Sequence, residues 1–218
     1  MIVLIQLVAV TAMFISCVYG DCIEMSKVQE RMPQWVDIVP YSHLTNSTYG
    51  YPTDCSGFVS WVLHGKELKA FQYASDKYST AISNDELRYG DIVTHVFGDN
   101  CEKKKDKSQD DVEKVEVQPI WPSFLFGPEI SGHVFFFDKW ADDDHKEFWA
   151  YESSETQDQT QACLAETNPI TRPMCLNHHV KKNSKILDKY RHDHCTSKEY
   201  GKIKGGPKRL SKKLLCQD

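Results

Sequence analysis

The chain has 218 residues, 40% of them hydrophobic and 11% aromatic, and a formal net charge of −5. That length corresponds to about one and a half average domains, so two full enzymatic domains do not fit. The composition lies near the globular norm and excludes wholesale disorder, a collagen-like fibre and a membrane protein with many spans.

Residues 1–20, MIVLIQLVAVTAMFISCVYG, carry no charge and are interrupted only at Gln6, Thr11 and Ser16. They read as a signal peptide, with Val18 and Gly20 small enough for a cleavage site. The alternative is a retained anchor helix of about 20 residues, because no Lys or Arg precedes the apolar core. A lipid anchor on Cys17 would need a better signal than Phe14-Ile15-Ser16. No later apolar stretch reaches spanning length, so the mature chain is expected to be exported to the extracellular space, with no stable membrane insertion. Asn46-Ser47-Thr48 is the one glycosylation sequon.

Met25, Val28, Met32, Trp35, Val36 and Val39 recur at helical spacing around Pro33, which predicts one broken helix or two short ones ended by Pro40. A polar loop over 41–53 leads into Asp54-Cys55-Ser56-Gly57. Phe58, Val59, Val62 and Leu63 then share one face of a helix of about ten residues, with Gly65 expected to terminate it. Leu87 to Asp91 is a turn signal, and IVTHVF after it is a strand. The charged stretch from Asp99 to Glu116 and the irregular segment from Gln118 to Glu129 predict a surface insertion over 99–129. Gly132 to Asp138 is a nearly continuous apolar run, the mark of a buried strand. A polar turn at 141–146 and a second run over 147–153 make it a hairpin. The fold class expected is α+β, with N-terminal helices packed on a small antiparallel sheet.

The net charge hides an asymmetry. Residues 181–218 hold twelve Lys or Arg against Asp188, Asp193, Glu199 and Asp218, a charge of +8 that leaves −13 for the rest. A basic tail on an acidic body suggests either contact with an anionic surface or a solvated terminus held by a disulfide. Nucleic acid is disfavoured as a partner by the export signal. The expected organisation is a signal peptide over 1–20, a main domain over 21–175 and a basic Cys/His-containing extension over 176–218.

Eight cysteines become seven when Cys17 leaves with the leader. Cys22, Cys101, Cys163, Cys175, Cys195 and Cys216 make three pairs among themselves, in any of fifteen connectivities, so parity favours a free Cys55. A cysteine at a helix start has its thiolate favoured by the unpaired N–H groups and the positive end of the dipole. The N–H of Ser56 can face the same space and serve as an oxyanion donor. His133 opens a buried strand after a glycine and can act as base. Alternation along Phe148, Ala150 and Glu152 puts Glu152 where it can orient that base. Each residue has a plainer alternative: a disulfide for Cys55, a satisfied core histidine for His133, a solvent-facing strand position for Glu152. Cys175, His178, His192 and Cys195 have zinc-like spacing, but disulfides are the expected fate of thiols in an oxidising compartment. No metal and no cofactor is expected.

Asp54-Cys55-Ser56-Gly57-Phe58-Val59, Gly90-Asp91-Ile92-Val93 and Gly132-His133-Val134 together resemble the NlpC/P-sixty family of papain-like cell-wall peptidases. The similarity covers residues 31 to about 155 and is closest to a secreted actinobacterial-type branch. Trp35-Val36, Val39-Pro40-Tyr41-Ser42, Asp138 to Asp142 and Trp149 to Glu152 carry that closer likeness. The resemblance implies a papain-like fold with Cys55 as nucleophile, His133 as general base, Glu152 as the third polar residue and Tyr41 lining the site near the substrate carbonyl. The implied substrate is the stem peptide of peptidoglycan. The chain departs from the family in lacking a Gly-Gly pair after that tyrosine, in its long Asp91 to His133 connection and in its cysteine-rich tail. Two other functions remain open from sequence: a non-catalytic binding or effector protein working through its tail, and an amidase acting on a protein or lipid amide.

Overall fold

The computed structural model describes residues 22–35, 38, 39, 41, 47, 49–98, 101, 102, 130–154 and 179–216. The leader, Asn46, Cys163, Cys175, His178 and most of the 99–129 insertion lie outside these residues.

Helix α1 spans Met25–Trp35 and buries Val28, Met32 and Trp35, the apolar stripe its spacing requires. Pro33 does not break it. Proline removes the bond to the carbonyl four residues back. That residue is the exposed Gln29, and only two positions of the helix remain after Pro33. Helix α2, Cys55–Val62, is buried along its whole length. Asp54 caps it, accepting from Gly57 N at 2.7 Å, and also accepts from the Ser56 hydroxyl at 2.8 Å. Its far end closes one residue earlier than the glycine signal suggests. His64 takes the left-handed conformation, φ 49°, donating to Trp61 O, while Gly65 donates back to Ser60 O. The pairing is that of a Schellman motif with a histidine in the position glycine usually fills. A short helix, α3, covers Ala70–Tyr73.

The strands are β1 (Ser79–Ala81), β2 (Ile92–Phe97), β3 (Cys101–Glu102), β4 (Ser131–Trp140), β5 (Glu147–Tyr151) and β6 (His179–Asn183). Helix α4 (Lys185–Arg191) follows, then β7 (His194–Ser197), β8 (Gly201–Lys204) and β9 (Gly206–Leu210). Six of them form an antiparallel sheet in the order β1-β9-β2-β4-β5-β6, and β3-β7-β8 form a second, smaller one. The fold is α+β. Ile92, Val134 and Phe136 pack with the apolar residues of α1 and α2 on one face. Val93, Phe135, Phe137 and Phe148 pack with Leu187 of α4 on the other.

The segment expected as an extension beyond residue 175 is built into these sheets where it is described. β6 pairs along β5, and β9 lies in the interior between β1 and β2. Some of its charges are committed to the body: Arg191 to Ile82 O at 2.7 Å and Asn84 at 2.6 Å, Arg209 to both oxygens of buried Asp91 and, at the surface, Lys181 to Glu147 at 2.8 Å. Lys208 is fully buried, and its Nζ has no hydrogen-bond partner. Disulfides join Cys22 to Cys216 and Cys101 to Cys195. The first ties the start of α1 to the C-terminal segment, where Ile23 also forms an isolated parallel bridge with Leu215. The second spends the Cys195 sulfur, so Cys195 is not a thiolate for the zinc-spaced set. Two disulfides fit an oxidising compartment. No helix among the described residues is long and apolar enough to cross a membrane.

Candidate active site

Cys55 is the free cysteine among the described residues, and it is buried, with 6% of its surface exposed. The Asp54 cap places it in the first turn of α2, where backbone N–H groups have no acceptor within the helix. Gly57 allows this turn to form against the preceding chain, because a Cβ there would come within 1.9 Å of the Pro52 carbonyl oxygen. The Cys55 sulfur lies 3.9 Å from the carbonyl oxygen of Gly132, the residue before His133. Gly132 is closely packed too, since a Cβ would meet His95 O at 2.6 Å. Gly57 thus lets the helix start pack on Pro52, and Gly132 lets β4 approach His95 of β2.

His133 Nε2 lies 3.0 Å from Glu152 Oε2. That engagement leaves Nδ1 as the ring nitrogen open to Cys55, which lies near enough to raise the His133 pKa. Glu152 follows β5 directly and is 1% exposed, on the face of Phe148 and Ala150, as alternation requires. Burial penalises the His133 cation, but hydrogen bonds to Cys55 and Glu152, together with their negative charges, outweigh it and raise the pKa from 6.5 to about 9. Burial alone would push the Glu152 carboxyl up. The hydrogen bond and charge of His133, with the charge of Lys182, instead lower it from 4.5 to about 2. Both directions describe one state, in which His133 holds a proton between two acceptors and Glu152 is ionised.

Thiol, imidazole and carboxylate therefore come together from α2, β4 and the end of β5. Ser56 directs its hydroxyl to Asp54, which leaves its backbone N–H as the group available to an oxyanion. Tyr41, which the resemblance assigns to the site, follows α1 in the chain, is half-buried and has an interaction partner.

Two features escape the sequence. Lys182 of β6 reaches Glu152 Oε2 at 2.8 Å, with its ammonium 5.0 Å from the centre of the Phe135 ring. The second feature is His95, directly opposite His133 in the β2–β4 register and so on the same face of the sheet. His95 Nε2 contacts Asp193 Oδ2 at 3.0 Å, and its ring stacks on Tyr190 at 4.3 Å. Periodicity marks neither, because both depend on pairings across long sequence distances. No protein-family model, curated protein or solved structure matches the chain.

Proposed function

We propose that the protein is a secreted cysteine hydrolase that cleaves amide bonds by acyl-enzyme chemistry on a papain-like scaffold. One observation carries the reading: a buried thiol, free of any disulfide, in the first turn of a capped helix, beside an imidazole that a buried carboxylate orients. A residue of each type in that order is what nucleophile activation needs. In the resting pair His133 already holds the proton, and the Cys55 sulfur attacks the carbonyl carbon to form a C–S bond. The oxyanion that develops is stabilised by the N–H groups of Cys55 and Ser56 in the first turn of α2. His133 then delivers its proton to the amide nitrogen, the C–N bond breaks and the amine leaves. Water, deprotonated by His133, attacks the thioester, releasing a carboxylic acid and restoring Cys55.

The resemblance to the NlpC/P-sixty family in residues 31 to about 155 supports the stem peptide of peptidoglycan as substrate. Mass spectrometry of products from a panel of muropeptides and ordinary L-peptides tests both statements. Cleavage of a muropeptide amide that disappears in Cys55→Ala is the expected result. Full activity in Cys55→Ala would remove the mechanism, and cleavage of L-peptides alone would remove the substrate.

A further inference from the structure

The site contains one more cation than a thiol–imidazole–carboxylate mechanism requires. Lys182 Nζ and His133 Nε2 approach the same oxygen, Glu152 Oε2, at 2.8 Å and 3.0 Å. From this shared oxygen we propose that Lys182 is a positioning residue, acting through Glu152 to keep the carboxylate ionised and aimed at His133 while His133 gains and loses its proton. The inference rests on the hydrolase reading above.

The argument follows the proton. Glu152 is 1% exposed, and an isolated carboxylate so placed would take up a proton sooner than remain charged. While His133 is protonated, the imidazolium alone suffices to hold Glu152 as an anion. Once His133 has given its proton to the leaving amine, that cation is gone, and the buried carboxylate keeps its charge only if another cation stays. Lys182 supplies one. Its side chain shares the face of Ala150 and Glu152, and its ammonium lies over Phe135, whose ring centre is 5.7 Å from that of His133. With 20% of its side chain exposed, it is held in place by Phe135 and Glu152 more than by water.

Lys182 also opposes the charge on His133, since two cations on one oxygen repel each other. The other titratable groups on this assembly are Cys55 from α2, His95 from β2 with Asp193 behind it, and Tyr190 from α4. Among the described residues that contact the His133–Glu152 pair, Lys182 brings the lysine charge. Removing it should therefore make His133 harder to deprotonate, and a base that holds its proton too tightly is a poor donor to the leaving group.

The test is an NMR titration of the His133 ring in the full chain, with its signal identified by loss in His133→Ala. Lys182→Met and Lys182→Gln should each move the midpoint upward by about one unit. Lys182→Arg, which keeps the charge, should stay within about 0.3 unit of wild type. On a cleaved substrate, Lys182→Met should lower kcat about ten-fold with KM little changed. A purely structural lysine would lower thermal stability and leave the midpoint where it was, and that outcome in either folded charge-removing variant overturns the proposal. The titration needs no substrate. A shifted midpoint in a protein whose Cys55→Ala variant is as active as wild type would thus refute the hydrolase reading while leaving the electrostatic role of Lys182 intact.

Discussion

Two histidine–carboxylate pairs sit side by side on one face of the main sheet. His133–Glu152 and His95–Asp193 have the same 3.0 Å separation, and their histidines are opposite each other in the β2–β4 register. What surrounds them differs. The first pair has a buried thiol on one side, a carboxylate that is 1% exposed and a lysine on that carboxylate. The second has a carboxylate that is 12% exposed and a histidine ring held between Tyr190 and Phe97. Equal hydrogen-bond length thus leaves the two imidazoles in different chemical settings. The distinction comes from a thiol beside the His133 ring and from an ionised carboxylate that keeps the proton on His133 against the cost of burial.

The most direct way to break this comparison is to remove each histidine in turn. His133→Ala should cost at least about 10³-fold in hydrolysis of purified wall fragments, because nucleophile and base act as a unit. His95→Ala should stay within about ten-fold of wild type, since that ring serves packing and position. Equal losses, measured by the same product assay, would mean that both pairs take part in the chemistry.

Stability against pH separates the pairs next. His133 is raised from 6.5 to about 9, so its contribution is full below pH 6.5 and is lost as pH rises through about 9. Glu152 is lowered from 4.5 to about 2, so its contribution is full above pH 4.5 and is lost as pH falls through about 2. Both are present together between pH 4.5 and 6.5. In that window Glu152→Gln should cost about 3 kcal/mol in urea unfolding, since it breaks a buried ion pair, and the cost should shrink above pH 9. Asp193→Asn should cost about 1 kcal/mol, because His95 and Asp193 each have further partners to share the loss. A Glu152→Gln penalty that does not change with pH would contradict the assigned charge state.

These two pairs also mark how far the sequence could be read. The helix that starts at Cys55 and strands β2, β4 and β5 follow from local rules, which also offer Cys55, His133 and Glu152 as candidates; their joint roles are what the family resemblance implies. Strands β6 and β9 do not. HVKKN has no apolar alternation, and GPKRL contains a glycine, a proline and two cations, residue types that strands disfavour. β9 nevertheless lies between β1 and β2, where Arg209 meets Asp91 and Lys208 goes inside, because its place is set by partners more than 100 residues away. Charge counting read residues 181–218 as a basic arm. Lys181, Lys182, Arg191 and Arg209 complete ion pairs and hydrogen bonds of the body, with Lys182 in the site itself, while Lys198, Lys202 and Lys212 are exposed.

The smallest expected effect tests whether the two pairs are independent. Tyr190 stacks on His95 with its ring plane within 8° of parallel, and burial and then the negative charges of Glu152 and Asp193 raise its own pKa. It therefore responds electrostatically to both pairs. Tyr190→Phe preserves the stack and removes the hydroxyl, whereas Tyr190→Leu removes the ring as well. Leu should cost about 1 kcal/mol more than Phe in urea unfolding, the worth of an aromatic contact beyond its buried area. Neither should move the His133 titration midpoint, because a neutral phenol adds no charge beside Glu152 at neutral pH. A shift of that midpoint in Tyr190→Phe would show that the hydroxyl couples the pairs, and His95 would then belong to the proton inventory of the site.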